Sequence, residues 1–189
     1  MATSTLRALI ELAEDQMGYF TTAQARSAGV SAMALVMMAR RDTLERVSRG
    51  VYRLSDYPRF PHGHHMEAVL WPTGQMGVLS HETALALYGL SDVSPAKMHI
   101  TLPANSRVQR SIPKYLKIHF ANLPEADVAR MDHMPITTPA RTIRDCMSTH
   151  LGTALITQAI DDARQTNRIS ERLAIELRRE LNAANNAAV

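Results

Sequence analysis

YFTTAQARSAGVSAMALVMMARRDTLERVSRGVYRL, residues 19–54, is the stretch whose reading decides the fold. Thr22 offers a hydroxyl cap for a short helix through Ser27, and Gly29 supplies the positive-φ turn that ends it. Ser31 then caps a second helix running to about Arg41. After Asp42 the apolar period changes: Leu44 and Val47, then Val51 and Leu54, fall in two β-prone runs joined through Ser48-Arg49-Gly50. Tyr19-Phe20 is expected as a short edge strand beside that hairpin. Leu35, Met38 and Ala39 of the second helix, with Leu44 and Val47, are the expected inward positions. Two capped helices around one glycine turn, followed by a hairpin, spell a winged helix-turn-helix.

The outward set has a chemical meaning. Between residues 31 and 53 five arginines, Arg40, Arg41, Arg46, Arg49 and Arg53, face two acids, Asp42 and Glu45. The planar guanidinium fork suits phosphate, and a second helix of this kind places its N-terminal residues against base edges in the DNA major groove. Thr22, Gln24, Ser31, Ala32, Ala34, Met37, Arg40, Arg41, Arg46, Arg49 and Arg53 are therefore the candidate DNA contacts. The start of the second helix is poor in side chains that hydrogen-bond base edges, which leaves thymine-methyl contacts and DNA shape to supply readout. The competing reading is a protein interface built on Met33, Val36 and Met37, since methionines make adaptable contacts.

At 189 residues and 46% hydrophobic content the chain has material for one or two packed domains. Its excess of positive charge is small, +3, and unevenly placed, which favours a polyanionic partner. The single cysteine, Cys146, has no internal disulfide partner, and neither a leader nor a long apolar run is visible, so a reducing cytoplasm is the expected home. The residues two before Lys97, Lys114 and Lys117 are Pro95, Ile112 and Tyr115, which closes the usual carboxylate-x-lysine nuclease spelling. Phosphate-cradling GxxxxGK[ST] and nucleophile-elbow GxSxG motifs do not occur. His62, His64 and His65 are spaced like metal ligands but lack cysteine or carboxylate partners. His81-Glu82, in the first turn of a helix, is explained by capping and dipole effects. Neither an enzyme nor a cofactor is expected.

Taken in order, residues 3–17 read as a helix with Thr3, Ser4 or Thr5 as cap and Leu6, Leu9, Ile10, Ala13 and Met17 as its inward stripe. SDYPRFPHG, residues 55–63, is the best domain boundary. A helix from His65 to Trp71 follows, then one capped by Ser80 and ended by Gly89. Met98–Leu102 and Tyr115–Phe120 alternate as strands, and Met134–Ile136 adds a third. Lys97, Arg107, Arg110, Lys114 and Lys117 gather on and around an expected hairpin with no acid between Val93 and Pro124, a secondary basic patch for DNA phosphate or an acidic partner. Thr138 with Pro139 starts a helix through Met147, in which Arg141, Arg144 and Asp145 are placed for local pairing. Two amphipathic helices, 153–164 and 170–181, close the chain, with Leu173, Ile175, Leu177 and Leu181 turned inward and a frayed tail from Asn182.

FTTAQARSAGVS with RVSRGVYRL, and then LSHETALALYGL, MHITLP and PITTPARTIRD, resemble the abortive-infection AbiEi family, the antitoxin partners of bipartite toxin–antitoxin systems. The resemblance spans about residues 15–147. It implies an α+β protein: an N-terminal winged helix-turn-helix, residues 1–57, followed by a C-terminal α/β antitoxin domain, residues 64–182, with a small mixed sheet and packed helices. It implies a repressor that binds inverted repeats in its own operon promoter and neutralises a cognate nucleotidyltransferase-like toxin, as a monomer or weak dimer on double-stranded DNA and without a membrane role. Ser31, Arg40, Arg41, Arg46, Arg49 and Arg53 match the DNA-contacting positions. Asp42 departs from the pattern, standing where a glycine is expected to end the second helix. The alternative is an interaction module that restrains a toxin with little or no DNA binding.

Overall fold

The computed structural model describes residues 2–72 and 74–187, an α+β chain with eight α-helices and two sheets among those residues. It divides into two compact units. The first takes the residues up to Gly77 together with Arg130–Pro135, and the second Val78–Ala129 together with the residues from Ile136 on. The compact units therefore part near Gly77, later than the 55–63 stretch, because the helix after that stretch stays with the first unit: Gly63 lies so close to Tyr19 that an added Cβ would stand 3.0 Å from the tyrosine hydroxyl.

In the first unit the order is α1 (Ala2–Glu14), β1 (Tyr19–Thr21), α2 (Thr22–Ser27), α3 (Ala32–Arg40), β2 (Leu44–Ser48), β3 (Val51–Leu54) and α4 (Gly63–Leu70). Helix α1 begins ahead of the expected caps; the side chain of Thr3 lies outside the described residues. Leu9, Ala13 and Met17 are buried as the stripe requires, whereas Ile10 is exposed. Thr21, one residue earlier than expected, caps α2: its hydroxyl accepts from the Gln24 amide while the Gln24 side chain accepts from the Thr21 amide, a closed capping box. Ser31 caps α3 by accepting from the Ala34 amide at 3.2 Å.

The three strands form an antiparallel sheet in the order β1-β3-β2. A bulge between Arg46 and Ser48 leaves Val47 without a ladder partner, so it sits half-buried rather than in the core. Leu9, Phe20, Leu35, Leu44, Tyr52 and Leu54 close a core between the helices and one sheet face. Each fully buried aliphatic or aromatic side chain there is worth roughly 1.5–3 kcal/mol. Gly18 is the tightest backbone position: at φ +86° its missing Cβ would stand 2.7 Å from the Tyr57 ring. Trp71, just past α4, is buried.

From Val78 on the order is β4 (Val78–Leu79), α5 (His81–Tyr88), β5 (Met98–Leu102), β6 (Leu116–Phe120), a 3-10 turn (Glu125–Asp127), β7 (Val128–Met131), β8 (Met134–Thr137), α6 (Pro139–Ser148), α7 (Thr153–Gln165) and α8 (Glu171–Ala187), the Arg130–Pro135 part of β7 and β8 counting with the first unit. The second sheet has five strands, ordered β6-β5-β4-β8-β7. Strands β5 and β6 pair in parallel, Met98 to Leu116 through Leu102 to Phe120, so they are not the expected hairpin. Parallel neighbours need a return path of about a dozen residues, and residues 103–115 supply it without a tight turn. Helix α8 continues to Ala187, past the expected fraying point, and Ile175 on it is exposed.

Several buried polar groups of this part of the chain have well-placed partners. Thr137 and Thr142 share a 2.7 Å hydrogen bond, and the Tyr88 hydroxyl donates to the Thr137 carbonyl at 3.0 Å. Arg141 reaches both Asp145 (2.7 Å) and Asp127 (2.8 Å). Arg144 pairs across to Glu176 and Glu180 of α8, not within its own helix. Ser80 holds the N-cap position of α5, yet its hydroxyl accepts from Thr101 at 2.8 Å and lies 2.9 Å from Nδ1 of His81 instead of capping.

Burial, reinforced by the His119 ring and by Lys117, lowers His81 to about 3 and His99 to about 4; burial and Lys117 lower His119 to about 4. An unfolded histidine takes up its proton near 6.5, so between about 6.5 and 4 the unfolded chain binds protons that the folded chain refuses. Folding stability therefore falls as pH drops through that window, by up to about 1.4 kcal/mol per pH unit for each group. Urea midpoints measured from pH 7.5 to 4.5 should decline steadily, and His119→Gln should shallow the decline. A flat profile between pH 7 and 5 would contradict the burial of these rings in the neutral form.

Candidate nucleic-acid interface

Helix α3 and the β2–β3 hairpin carry most of the expected contacts. Ser31, Ala32 and Met37 are exposed on α3, as are Arg40 in its last turn and Arg41 at its C-cap. Just past the Arg41 cap of α3, Asp42 is held at φ +58°, so an aspartate adopts the left-handed conformation that a glycine would take more readily. Arg46 on β2 and Arg49 in the turn before Gly50 (φ +84°) are exposed too. Four guanidiniums thus stand at the end of one helix and along the adjoining hairpin.

Four expected contacts are committed elsewhere. Arg53 is 1% exposed. Strand β3 is the middle strand, and on the face away from the helices the chain after Leu54 folds back over it. The guanidinium donates to the carbonyls of Leu54 (3.1 Å), Pro58 (2.9 Å) and Tyr57, lies over the Tyr19 ring at 5.7 Å, and sits 3.9 Å from Glu45. It is a structural staple that cannot touch DNA in this fold. Gln24 spends its amide on the capping box and on a 2.8 Å bond to the Gln16 side chain. Ala34 is half-buried against the core cluster. Thr22 is half-buried, its amide donating to the Gly50 carbonyl at 2.9 Å, which ties the start of α2 to the hairpin turn.

On the outer face of α3, Met33 is 71% exposed, with Val36 and Met37 beside it at helical spacing. These three side chains make an apolar stripe between the serine cap and the arginines.

In the second unit Lys97, Arg107, Lys114 and Lys117 are exposed and Arg110 is half-buried. They flank two parallel strands and the segment joining them. His62, His64 and His65 cluster ring to ring around the start of α4, and burial with the neighbouring rings lowers His65 to about 4. The sequence reading did not bring together His81, His99 and His119. The available signal was a histidine on each of two strands at positions opposite the apolar alternation, but only the parallel register makes them neighbours.

The first unit thus sets a helix, a short strand, two helices around a glycine turn and a hairpin in that order. Residues 7–55 match the family model described as transcriptional regulator, AbiEi antitoxin, so the resemblance read from FTTAQARSAGVS and RVSRGVYRL is met over that segment. The later motifs, LSHETALALYGL, MHITLP and PITTPARTIRD, lie outside the matched residues.

Among solved structures, the crystal structure of the RV2827C protein from Mycobacterium tuberculosis is similar over 93% of this chain and 71% of that one, with a TM-score of 0.52 and 16% sequence identity. At that identity the likeness is one of fold. No curated protein matches the sequence significantly. Among the described residues no helix is long and apolar enough to cross a membrane.

Arg53 and Arg46 separate scaffold from surface. Arg53→Ala should cost roughly 3 kcal/mol, since a charged donor is removed and buried carbonyls lose their partner. Arg46→Ala should stay within about 0.5 kcal/mol of wild type. Urea denaturation of both variants checks this, and an unchanged midpoint for Arg53→Ala would remove the staple from the account.

Proposed function

We propose that this protein is a DNA-binding transcriptional regulator of the antitoxin kind, with a winged helix-turn-helix in the first unit. The observation that carries the proposal is the coincidence of two findings: the segment matching the antitoxin-regulator family, residues 7–55, is also the segment that exposes Arg40, Arg41, Arg46 and Arg49 along α3 and the hairpin.

The mechanism follows from the geometry of such a surface. Helix α3 enters the major groove with Ser31, Ala32 and Met37 toward the bases, where the small Ala32 permits close approach and Met37 meets thymine methyls. Arg40, Arg41, Arg46 and Arg49 hold phosphates on either side, so most of the affinity comes from counterion release. Occupation of the operon promoter then represses transcription. The second unit, with its basic group Lys97, Arg107, Arg110, Lys114 and Lys117, serves the antitoxin role against a nucleotidyltransferase-like toxin encoded alongside.

One observation favours a second reading. The exposed stripe Met33, Val36 and Met37 lies on the same helix and suits a protein partner better than a duplex. In that reading the first unit helps to restrain the toxin and DNA plays little part.

A gel-shift titration with the promoter upstream of the protein's own operon distinguishes them. Wild type should bind with a steep salt dependence, and Arg46→Ala with Arg49→Ala should reduce the slope of log affinity against log salt by about 2. Unchanged binding by the double variant would refute the arginine surface. Loss of toxin co-purification on Met33→Ser with Met37→Ser, from a wild type that does not shift the promoter, would support the second reading.

A further inference from the structure

We propose that His81, His99 and His119 are three ligands of one zinc-type divalent metal ion in the second unit. The three residues come from separate elements: His81 opens α5, His99 lies on β5 and His119 on β6. The parallel register sets Thr101 beside His119 and His99 beside Lys117, so the two strand histidines are diagonal neighbours on one sheet face. One ligand-capable atom from each residue lies within 4.8 Å of the other two.

One pair has the spacing of a metal site. Nδ1 of His99 and Nε2 of His119 are 3.3 Å apart. Zinc–nitrogen bonds of about 2.0–2.1 Å in a tetrahedron set nitrogens about 3.3–3.4 Å apart. Polar groups face the opposite ring atoms of two of the histidines. Nε2 of His99 lies 3.9 Å from the Glu82 carboxylate, and Nδ1 of His81 lies 2.9 Å from the Ser80 hydroxyl, which Thr101 holds in turn. A metal-bound histidine turns its second nitrogen to such a partner. That leaves Nε2 of His81, Nδ1 of His99 and Nε2 of His119 for the ion.

The backbone points the same way. His81 is held at φ +53°, a left-handed conformation that side-chain-bearing residues avoid and that recurs at functional positions. The His81 and His119 rings are stacked 3.5 Å apart and within 13° of parallel, so one ring turns about its χ2 when both lone pairs converge on an ion. Lys117 opposes a cation and Glu82 favours one. Three nitrogen donors leave the fourth corner of the tetrahedron for water or for a donor from a bound partner.

The test is a titration of the full-length, EDTA-stripped protein at neutral pH with zinc chloride by calorimetry, and with cobalt chloride by visible absorption. The protein also carries His64→Ala and His65→Ala, which remove the competing cluster on α4. The expected result is one equivalent of zinc, the intense ligand-field bands of tetrahedral cobalt, at least about a tenfold weaker affinity for His119→Gln, and about a tenfold weaker affinity for Glu82→Gln. The cobalt spectrum decides the matter even if a histidine variant folds poorly. Octahedral cobalt spectra, or zinc binding untouched by His119→Gln, would leave the 3.3 Å contact as an ordinary histidine–histidine hydrogen bond and overturn the proposal.

Discussion

The first unit depends on one buried cation. Arg53 sits in the middle strand of a three-stranded sheet, and its guanidinium gathers the carbonyls of Leu54, Tyr57 and Pro58 under a nearly solvent-free cover. A buried charge without partners is expensive, and a buried charge with several acceptors locks the backbone that supplies them. The chain leaving β3 is thereby folded back onto the sheet, Tyr57 comes to rest against Gly18, and α4 follows with Gly63 against Tyr19. The opposite sheet face stays free to close the core with α1, α2 and α3 through Phe20, Tyr52 and Leu35. Hairpin and second helix share that core, so Arg40, Arg41, Arg46 and Arg49 project from adjoining elements.

Much of this was legible in the sequence because the signals were local. Ser31, Gly29 and Ser48-Arg49-Gly50 each announce a cap or a turn by their own chemistry, and the structure uses them at those positions. The cap at Thr21 rather than Thr22 is a one-residue ambiguity between adjacent threonines, settled by Gln24 three residues on, which closes the box. Arg53 was misread for a non-local reason. Strand alternation correctly puts it on the face away from the core, but nothing within the strand says that residues 54–58 return to cover that face.

The second unit shows the same division more sharply. Its helices 81–88, 139–148 and 153–165 follow from periodicity and from Gly89 and Pro139. The pairing of Met98–Leu102 with Leu116–Phe120 does not, since the alternation of apolar residues is the same whether strands run parallel or antiparallel. That single difference decides the chemistry: the parallel register brings His119 against His99, and α5 adds His81. The basic residues around residues 97–117 likewise flank a crossing segment, not a hairpin tip.

The central claim is that α3 and the β2–β3 hairpin, held by Arg53, present one duplex-binding surface. Amide chemical-shift mapping of the isotope-labelled full chain against its own promoter duplex tests this most directly. The account predicts salt-sensitive shifts gathered at Ser31, Ala32, Arg40, Arg41, Arg46 and Arg49, with the residues lining the Arg53 guanidinium unmoved. Shifts confined to residues 97–117, or none in the first unit at any salt concentration, would contradict it.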